Sequence, residues 1–356
     1  RALEENALLF AFGLSVFFGS TVLGGLSFFL TERRTNDAIA TLPYSSGTTG
    51  PPKGTMLTHR NIIANTMQCF DCETKHIDTT SSVLCPLPLF HCFGMVVGLC
   101  ATMSRGGRLV ITPSFDAEKF FQAIETYKVD RIHAVPPIVL ALAKHPSVDK
   151  VCIQCVFSLL FSLYLFFQYD MSSVKSVLSG AAPLGADLQR QCGERLDCIV
   201  KLTWGMTELS PVGTINPDEN VRLGSAGLLV PGCEAKILDT ETGAELGVED
   251  EGELCIRGPN VFKGYLNNEE ATAATIMADG FLKTGDIAKI DSDGFVFILD
   301  RSKELIKYKG FQVAPAELEG IIGAREEVND VLVIPVPDDE AGEVPKAFVS
   351  LKPGFQ

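Results

Sequence analysis

The chain has 356 residues, which is enough for a large hydrophobic core and for two or three domains or subdomains. Its formal net charge of −14 argues against a nucleic-acid partner, because phosphate backbones are bound by basic surfaces. The 11 cysteines show no disulfide spacing, and no pair of further ligands completes a zinc site beside the Cys-x-x-Cys pairs that begin at Cys69 and Cys152. We therefore expect reduced thiols and an intracellular protein, either cytoplasmic or peroxisomal.

Residues 7–30 form the first distinctive segment, 24 residues without a charged side chain between two charged flanks. A bilayer span takes about 20 apolar residues, so the length suits a membrane anchor. The alternative is a segment foreign to the folded protein, because the chain is a fragment or because its gene was assembled incorrectly.

Residues 44–54 read YSSGTTGPPKG and predict a phosphate-binding loop. Glycines allow a tight turn with inward backbone N–H groups, hydroxyl groups donate further hydrogen bonds, and a lysine supplies positive charge. The order differs from a Walker A loop, since Lys53 precedes Gly54. A flexible linker is the alternative, but an apolar run at 39–42 and a helical pattern at 59–68 flank the loop. The residues expected to bind phosphate are Ser45, Ser46, Gly47, Thr48, Thr49, Gly50 and Lys53.

Strand and helix patterns then alternate, which predicts a layered α/β sheet. Asp116 is placed to cap a helix over 116–127, and Pro136 and Pro137 suit the first turn of a helix that ends at Lys144. The remaining predicted elements are strands at 83–87, 107–112, 131–135 and 174–178 and a helix at 185–196.

The pattern changes after Trp204 to short strands separated by Gly, Asp and Pro, which is typical of a β-rich subdomain. The sequence DSDG at 291–294 resembles the beginning of a calcium-binding loop but lacks the acidic twelfth ligand. We predict a hairpin turn there.

Five further motifs, together with the phosphate loop, resemble the adenylate-forming superfamily of acyl-CoA ligases, luciferases and adenylation domains. They follow in the family's order with compatible spacing, and the resemblance covers about residues 36–348. The last motif is most similar to those of 4-coumarate-CoA ligases and beetle luciferases. The motifs are LFHCFG at 89–94, SGAAPLG at 179–185, WGMTE at 204–208, GFLKTGDIA at 280–288 and DRSKELIKYKGFQVAPAELE at 300–319.

The resemblance implies a large α/β AMP-binding domain over 36–299 and the beginning of a small, mobile α/β domain over 300–356, while residues 1–35 do not match. In the family, a folded N-terminal subdomain precedes the phosphate loop, and a late lysine in the small domain contacts the substrate carboxylate. Neither Lys346 nor Lys352 has the motif of that lysine. We therefore expect the chain to be truncated at both ends.

A second apolar segment, VCIQCVFSLLFSLYLFFQ at 151–168, interrupts the resemblance. Without it, the flanking residues join as the family leads one to expect. Val-Cys at its beginning and Phe-Phe-Gln at its end can be encoded by intron boundary sequences. We interpret the segment as a retained intron of 18 codons, with a genuine buried helix as the alternative.

The implied reaction has two steps. A carboxylate attacks the α-phosphate of ATP to give acyl-AMP and pyrophosphate, and the thiol of CoA then displaces AMP. The implied partners are a small carboxylic acid, ATP, CoA and Mg²⁺, and the protein positions the two anions and offsets their charge.

The resemblance also assigns the nucleotide site. The phosphate loop would hold the β- and γ-phosphates, and Thr207 and Glu208 would contact the α-phosphate and Mg²⁺, which prefers oxygen ligands. Trp204 would lie against adenine, and Ala181 would line the adenylate site. The alternatives are a solvated loop for Thr207 and Glu208 and simple core burial for Trp204.

Further residues are assigned in the same way. Asp286 would accept both ribose hydroxyls, and Arg301 would add a second nucleotide contact, although lone Asp and Arg residues are usually surface charges. His91 would close the carboxylate and pantetheine channels, with a core histidine as the alternative. In the mobile domain, Lys303, Lys307 and Gln312 would contact the nucleotide, and Lys309 and Gly310 would approach CoA. The alternative for these residues is a solvated surface face.

One departure concerns the strand before the fourth motif, where Lys201-Leu202-Thr203 replaces the Gly-Gln-Gly that is frequent in related ligases. In the family this strand forms part of the wall of the nucleotide site, called the nucleotide wall below. We do not expect that part of the wall to match the family here. The leading hypothesis is an acid-CoA ligase of the 4-coumarate-CoA ligase type. The alternatives are a luciferase-like oxygenase, an adenylation domain that loads a carrier protein, and a catalytically impaired fragment that at most binds nucleotide.

Overall fold

The structure of the chain is a computed structural model. It describes residues 36–45, 52–73, 76–112, 115–148, 169–301, 306–308, 311–313, 315–323, 325, 327–338, 342–352 and 354–355. The segments 7–30 and 151–168, on which the anchor and intron interpretations rest, lie outside these residues.

Four short strands surround the predicted phosphate loop. Strand β1 (Ile39–Thr41) pairs with β4 (Leu57–Thr58), and β2 (Tyr44–Ser45) pairs with β3 (Lys53–Gly54), both antiparallel. The loop therefore connects the two strands of a hairpin, and helix α1 (His59–Cys72) begins directly after β4.

A seven-stranded sheet lies at the centre of the fold, in the order β11-β10-β9-β8-β7-β5-β6. Strands β5 to β9 are parallel, whereas β10 and β11 are antiparallel to their neighbours. The strands are β5 (Ser82–Cys85), β6 (Arg108–Ile111), β7 (Arg131–Ala134), β8 (Ser176–Ser179), β9 (Ile199–Gly205), β10 (Val212–Ile215) and β11 (Leu228–Leu229).

Helices connect the parallel strands, and apolar side chains fill both faces of the sheet. A π-helical segment (Phe93–Ala101) and α2 (Thr102–Ser104) follow β5, and α3 (Ala117–Tyr127), α4 (Pro136–Lys144) and α5 (Ala186–Leu196) follow β6, β7 and β8. Successive strand residues point to opposite faces. Val177 accordingly packs in one apolar cluster with α3, α4 and α5, and Leu178 in another with α1 and the π-helical segment.

The predicted α/β order is confirmed, with shifts at the ends of elements. Asp116 caps α3, since its Oδ1 accepts a hydrogen bond from the backbone N–H of Lys119 at 3.0 Å. Pro136 begins α4 as predicted. The first predicted strand ends at Cys85 rather than at residue 87, because Pro86 has no N–H to donate to a neighbouring strand.

A second sheet, antiparallel throughout, forms the predicted β-rich part. Its strands in order are β12 (Glu234–Leu238), β13 (Gly252–Arg257), β14 (Leu282–Ile290) and β15 (Val296–Arg301), and α6 (Glu269–Thr275) precedes β14. The DSDG sequence is the turn between β14 and β15, as predicted, and Asp291 Oδ1 accepts hydrogen bonds from the N–H groups of Asp293 and Phe295.

The last part is a small α/β unit, as the fold prediction expected. Strands β16 (Ile306–Tyr308), β17 (Phe311–Val313), β18 (Val328–Asp338) and β19 (Gly342–Leu351) form a sheet in the order β17-β16-β19-β18, with α7 (Pro315–Gly323) between β17 and β18. In the described ranges, no helix combines the length and the apolarity that crossing a bilayer requires.

Candidate active site

Candidate residues from three motifs meet at one edge of the central sheet. Strands β5, β8 and β9 run parallel, so their carboxyl ends lie at the same edge. His91 lies in the turn that follows β5, Ala181 follows β8, and Thr207 and Glu208 follow β9. In open α/β sheets, ligands bind outside the carboxyl ends of the strands.

The phosphate loop is held closed at its base. Ser45 lies directly opposite Lys53 in the β2–β3 pair, so the two ends of the loop are adjacent. Of the residues expected to bind phosphate, Ser46, Gly47, Thr48, Thr49 and Gly50 lie outside the described residues.

Tyr265 connects the base of this loop with Glu208. Its hydroxyl donates a hydrogen bond to Glu208 Oε1 at 2.7 Å, and the Nζ atom of Lys53 lies 5.0 Å from the centre of its ring. Burial and the Glu208 carboxylate raise the pKa of Tyr265 far above its ordinary value, so the hydroxyl keeps its proton and acts as a donor. Glu208 is 4% exposed, so its carboxylate is largely shielded from bulk water.

Thr207 and Glu208 lie in a short 3₁₀ turn (Thr207–Leu209) that is buried. The thiol of Cys92 lies 3.8 Å from Thr207 Oγ1 at hydrogen-bonding distance for sulfur. Burial raises the pKa of Cys92 to about 11, so this thiol is protonated at neutral pH. The alternative of a solvated loop for these two residues is therefore wrong.

His91 precedes Cys92 and is exposed at the edge of the site. Its Nδ1 atom accepts a hydrogen bond from the backbone N–H of Phe93 at 3.3 Å, which orients the ring. Partial burial lowers the pKa of His91, which favours the neutral imidazole near pH 7. The alternative of a core histidine is wrong, because the side chain is accessible.

Trp204 and Asp286 are brought together from different sheets. The indole Nε1 of Trp204 donates a hydrogen bond to Asp286 Oδ2 at 2.8 Å. Both residues are half-buried, so Trp204 is not enclosed in the core. Asp286 lies directly opposite Arg301 in the β14–β15 pair, which places the backbones of these two candidates side by side.

The structure describes only some of the other candidate residues. Ala181 is exposed and adopts a left-handed backbone conformation, with φ of +70°, in the turn after β8. Lys307 lies directly opposite Gln312 in the β16–β17 pair. Lys303, Lys309 and Gly310 lie outside the described residues.

Comparison with known proteins assigns the chain to a family. The family model for AMP-binding enzymes matches residues 17–266, and that for the AMP-binding enzyme C-terminal domain matches residues 317–356. The chain belongs to the AMP-binding enzyme family. The resemblance expected from the motifs is thereby confirmed.

The curated relatives that match the chain include proteins named as 4-coumarate--CoA ligases. The chain is 44% identical over 315 residues to "Probable 4-coumarate--CoA ligase 3" of Dictyostelium discoideum, a match that covers 88% of this chain and 54% of the relative. It is also 44% identical over 322 residues to "4-coumarate--CoA ligase 2" of Oryza sativa subsp. japonica, with 88% and 53% covered. The chain thus spans about half the length of these relatives.

Solved structures in the family share the fold. ATP-bound MatB from Rhodopseudomonas palustris matches with a TM-score of 0.79 and 33% identity, covering 91% of this chain and 60% of that one. MenE, the O-succinylbenzoate coenzyme A synthetase of Bacillus subtilis, in complex with ATP and magnesium ion, matches with a TM-score of 0.74 and 30% identity, covering 89% and 61%.

Lys201, the departure from the family pattern, has no place in the nucleotide wall. It is fully buried and forms ion pairs with Glu73, at 2.5 Å, and with Asp218. Arg131 pairs with the same two carboxylates, and His133 lies 3.4 Å from Glu73. These five residues form a buried charge cluster that joins the end of α1 to strands β7 and β9 and to the segment after β10.

Sequence reasoning missed the buried amides that hold the turn at Thr207. Asn65 donates to the carbonyl oxygen of Val212 at 2.9 Å and accepts from its N–H at 3.0 Å. Asn260 donates to the carbonyl oxygens of Leu209 and Val212 at 3.0 and 2.9 Å. The sequence feature that could have revealed them is Asn65, a polar residue in the apolar pattern of α1, because a buried amide needs hydrogen-bond partners.

Proposed function

We propose that the protein to which this chain belongs is an ATP-dependent carboxylic acid-CoA ligase of the 4-coumarate-CoA ligase type. The observation that carries the proposal is the convergence of the phosphate-loop base and Glu208 on the hydroxyl and ring of Tyr265. It places a lysine and a buried carboxylate beside one loop, as a site for a metal-bound triphosphate requires. The names of the relatives support the same reaction.

In this proposal the phosphate loop surrounds the β- and γ-phosphates. Ser45 and Lys53 act from the two strands of the hairpin, and Ser46, Gly47, Thr48, Thr49 and Gly50 act from the loop between them. The ammonium group of Lys53 offsets the charge that develops on the pyrophosphate leaving group, and the Thr207 hydroxyl donates to the α-phosphate.

The residues around Glu208 fit Mg²⁺. The ion is usually bound through one or two carboxylates together with phosphate oxygens of the substrate, and Glu208 supplies one buried carboxylate next to the hydroxyl of Thr207. When bound, Mg²⁺ would act as a Lewis acid that stabilises the negative charge of the phosphate groups.

The nucleoside would lie between the central and the second sheet. We propose that adenine packs against Trp204, that the Asp286 carboxylate accepts the ribose hydroxyls with Arg301 beside it, and that Ala181 lines the site of the adenylate. The hydrogen bond between Trp204 and Asp286 supports this assignment, because it aligns the base-binding and ribose-binding groups.

His91 would close the channels for the carboxylate and for pantetheine. As a neutral imidazole at the exposed edge, it can turn without breaking an ion pair. For the second step, we propose that Lys303, Lys307 and Gln312 contact the nucleotide and that Lys309 and Gly310 approach CoA.

We propose an aromatic or fatty acid as the acyl substrate, and the relatives' names, which refer to 4-coumarate, support the aromatic class. The division into an AMP-binding domain over 36–299 and a small domain from 300 onwards is part of the proposal, as is an intracellular location. None of the nine cysteines among the described residues takes part in a disulfide, which supports a reducing compartment.

Carboxylate-dependent exchange of labelled pyrophosphate into ATP tests the proposal. Hydroxycinnamic, benzoic and fatty acids are compared in the full-length protein with Mg²⁺, and Asp286→Asn is compared with Asp239→Asn, which alters an exposed turn. We expect exchange with one class of acid and a loss confined to Asp286→Asn. ATP binding without exchange would instead indicate a nucleotide-binding remnant, and light emission after adenylation would indicate a luciferase-like oxygenase.

A further inference from the structure

We propose that Tyr265 is a positioning residue for Glu208, whose carboxylate it holds in the orientation that binding of Mg²⁺ and ATP needs. The inference rests on the proposed function and assigns a role to a residue outside the motifs that suggested it. It follows from three features of the structure: the partner of the carboxylate, the neutral charge of that partner, and the backbone that carries Tyr265.

The first feature is that Tyr265 restrains a buried carboxylate. Glu208 is 4% exposed and Tyr265 is 6% exposed, and the hydroxyl of Tyr265 donates a hydrogen bond to Glu208 Oε1 with an oxygen–oxygen distance of 2.7 Å. A glutamate has three side-chain torsions, so an unrestrained carboxylate would lose conformational entropy on binding a cation. A hydrogen bond to a charged group removes part of that freedom in advance.

The second feature is that the partner carries no charge. The side chain that donates a hydrogen bond to the Glu208 carboxylate is the neutral hydroxyl of Tyr265. A cationic partner would orient the carboxylate but would also cancel the charge that attracts Mg²⁺. A neutral hydroxyl orients it and leaves the charge in place, as partners of metal ligands commonly do.

The third feature is a backbone segment, residues 262–266, that bridges the two halves of the site. The N–H of Phe262 donates to the carbonyl oxygen of Glu208 at 2.8 Å. On its other side, the N–H of Leu266 donates to the carbonyl oxygen of Gly54 at 2.8 Å, and the N–H of Met56 donates to that of Gly264 at 2.9 Å. Tyr265 therefore has a fixed position relative to both Lys53 and Glu208.

Gly264 makes this position sterically attainable. Its φ is +143°, and a Cβ atom there would lie 2.8 Å from Thr272 Cγ2. The close approach lets the Thr272 hydroxyl accept a hydrogen bond from the N–H of Tyr265 at 2.9 Å. Tyr265 is thus held in place by its backbone N–H, by the contact of its ring with Lys53 and by the hydrogen bond of its hydroxyl.

Tyr265→Phe tests the inference, because it removes the hydroxyl and keeps the ring beside the ammonium group of Lys53. ATP binding to the 356-residue chain is measured by titration calorimetry with Mg²⁺ and, separately, with EDTA. We expect the affinity gain from Mg²⁺ to fall by about 10- to 100-fold. Affinity in EDTA should stay within about twofold, since the phosphate loop is unaltered.

Tyr169→Phe is the matched control. The hydroxyl of Tyr169 also donates to a glutamate, Glu118 Oε2 at 2.8 Å, but neither residue belongs to the proposed nucleotide site. We expect wild-type ATP affinity in both buffers. Equal losses in the two tyrosine variants would overturn the inference.

Glu208→Gln gives a second measurement that does not depend on Tyr265→Phe folding. The amide oxygen can still accept the hydrogen bond but lacks the charge, so we expect the Mg²⁺ effect to disappear with little change in thermal unfolding. In that background Tyr265→Phe should cause no further loss. Additive losses, or a Tyr265→Phe variant with the full Mg²⁺ effect, would overturn the inference and leave the proposed function intact. An unaltered chain that binds no ATP in either buffer would overturn the inference, whereas pyrophosphate exchange in the full-length protein tests the proposed function separately.

Discussion

Trp204 and Asp286 join the central sheet to the second sheet through a hydrogen bond of 2.8 Å between the indole Nε1 and Oδ2. Trp204 lies in β9 and Asp286 in β14, 82 residues further along the chain. The indole also packs across Gly213 of β10, where a Cβ atom would lie 2.6 Å from Trp204 Cζ3. The orientation of the ring is therefore set by two contacts from distant parts of the sequence.

Gly213→Ala should displace the indole and weaken ATP binding by about tenfold, since overpacking of a well-packed site costs about 1–3 kcal/mol. Trp204 is the single tryptophan, so its fluorescence reports the displacement directly. We expect a red-shifted emission and a weaker response to ATP. Gly185→Ala is the control, because nothing lies within 4 Å of a Cβ atom there. Unchanged emission in Gly213→Ala would contradict the prediction.

Lys201→Met should destabilise the protein by about 3–5 kcal/mol, because it leaves the buried carboxylates of Glu73 and Asp218 short of a cation. Urea unfolding followed by circular dichroism measures the change. Lys128→Met removes an exposed ion pair with Asp170 and should have little effect. Similar unfolding midpoints for the two variants would show that the cluster does not stabilise the fold.

The free energy of unfolding should decrease as pH rises from about 6.5 to 9. Burial alone would lower the pKa of His133, but its contacts with Cys85 and Glu73 outweigh burial and raise the pKa from 6.5 to about 9. The folded state therefore binds this proton more tightly than the unfolded state, and that stabilisation is complete below 6.5 and lost through pH 9.

Urea unfolding at several pH values, with His133→Gln beside the unaltered chain, measures this dependence. The variant should lack the decrease, whereas His76→Gln, which alters an exposed histidine near Asp218, should retain it. At the acid end, the lowered pKa of Glu73 predicts a second loss of stability below pH 4.5, where the unfolded carboxyl takes up a proton that the folded one resists. A decrease above pH 6.5 that persists in His133→Gln would point to other groups.

Lys307→Ala should slow thioester formation far more than adenylation, because the proposed role of Lys307 belongs to the mobile small domain. Single-turnover measurements of acyl-AMP and of acyl-CoA separate the two steps. Lys346→Ala, an exposed lysine of β19 in the same sheet, is the control and should behave as the unaltered protein. Equal losses in both steps would count against alternation of the small domain.

The local elements were predictable because their causes are local. The acidic cap at Asp116, the prolines at the beginning of α4 and the short apolar stretches of β7 and β8 act within a few residues of the chain. The turn at Asp291 was predictable for the same reason. The motifs likewise identified the family, because a phosphate loop needs its glycines, hydroxyl groups and lysine close together.

The order of the central sheet, the partner of Glu208 and the location of Lys201 were decided by the tertiary structure. Tyr265 follows Glu208 by 57 residues, and Lys201 follows Glu73 by 128 residues, so no local pattern relates the members of either pair. From the sequence, Lys201 was a departure from the family pattern in the nucleotide wall, because its neighbours along the chain belong to the site. Alternation along β9 directs it instead to the face beside α1, where two buried carboxylates require a cation.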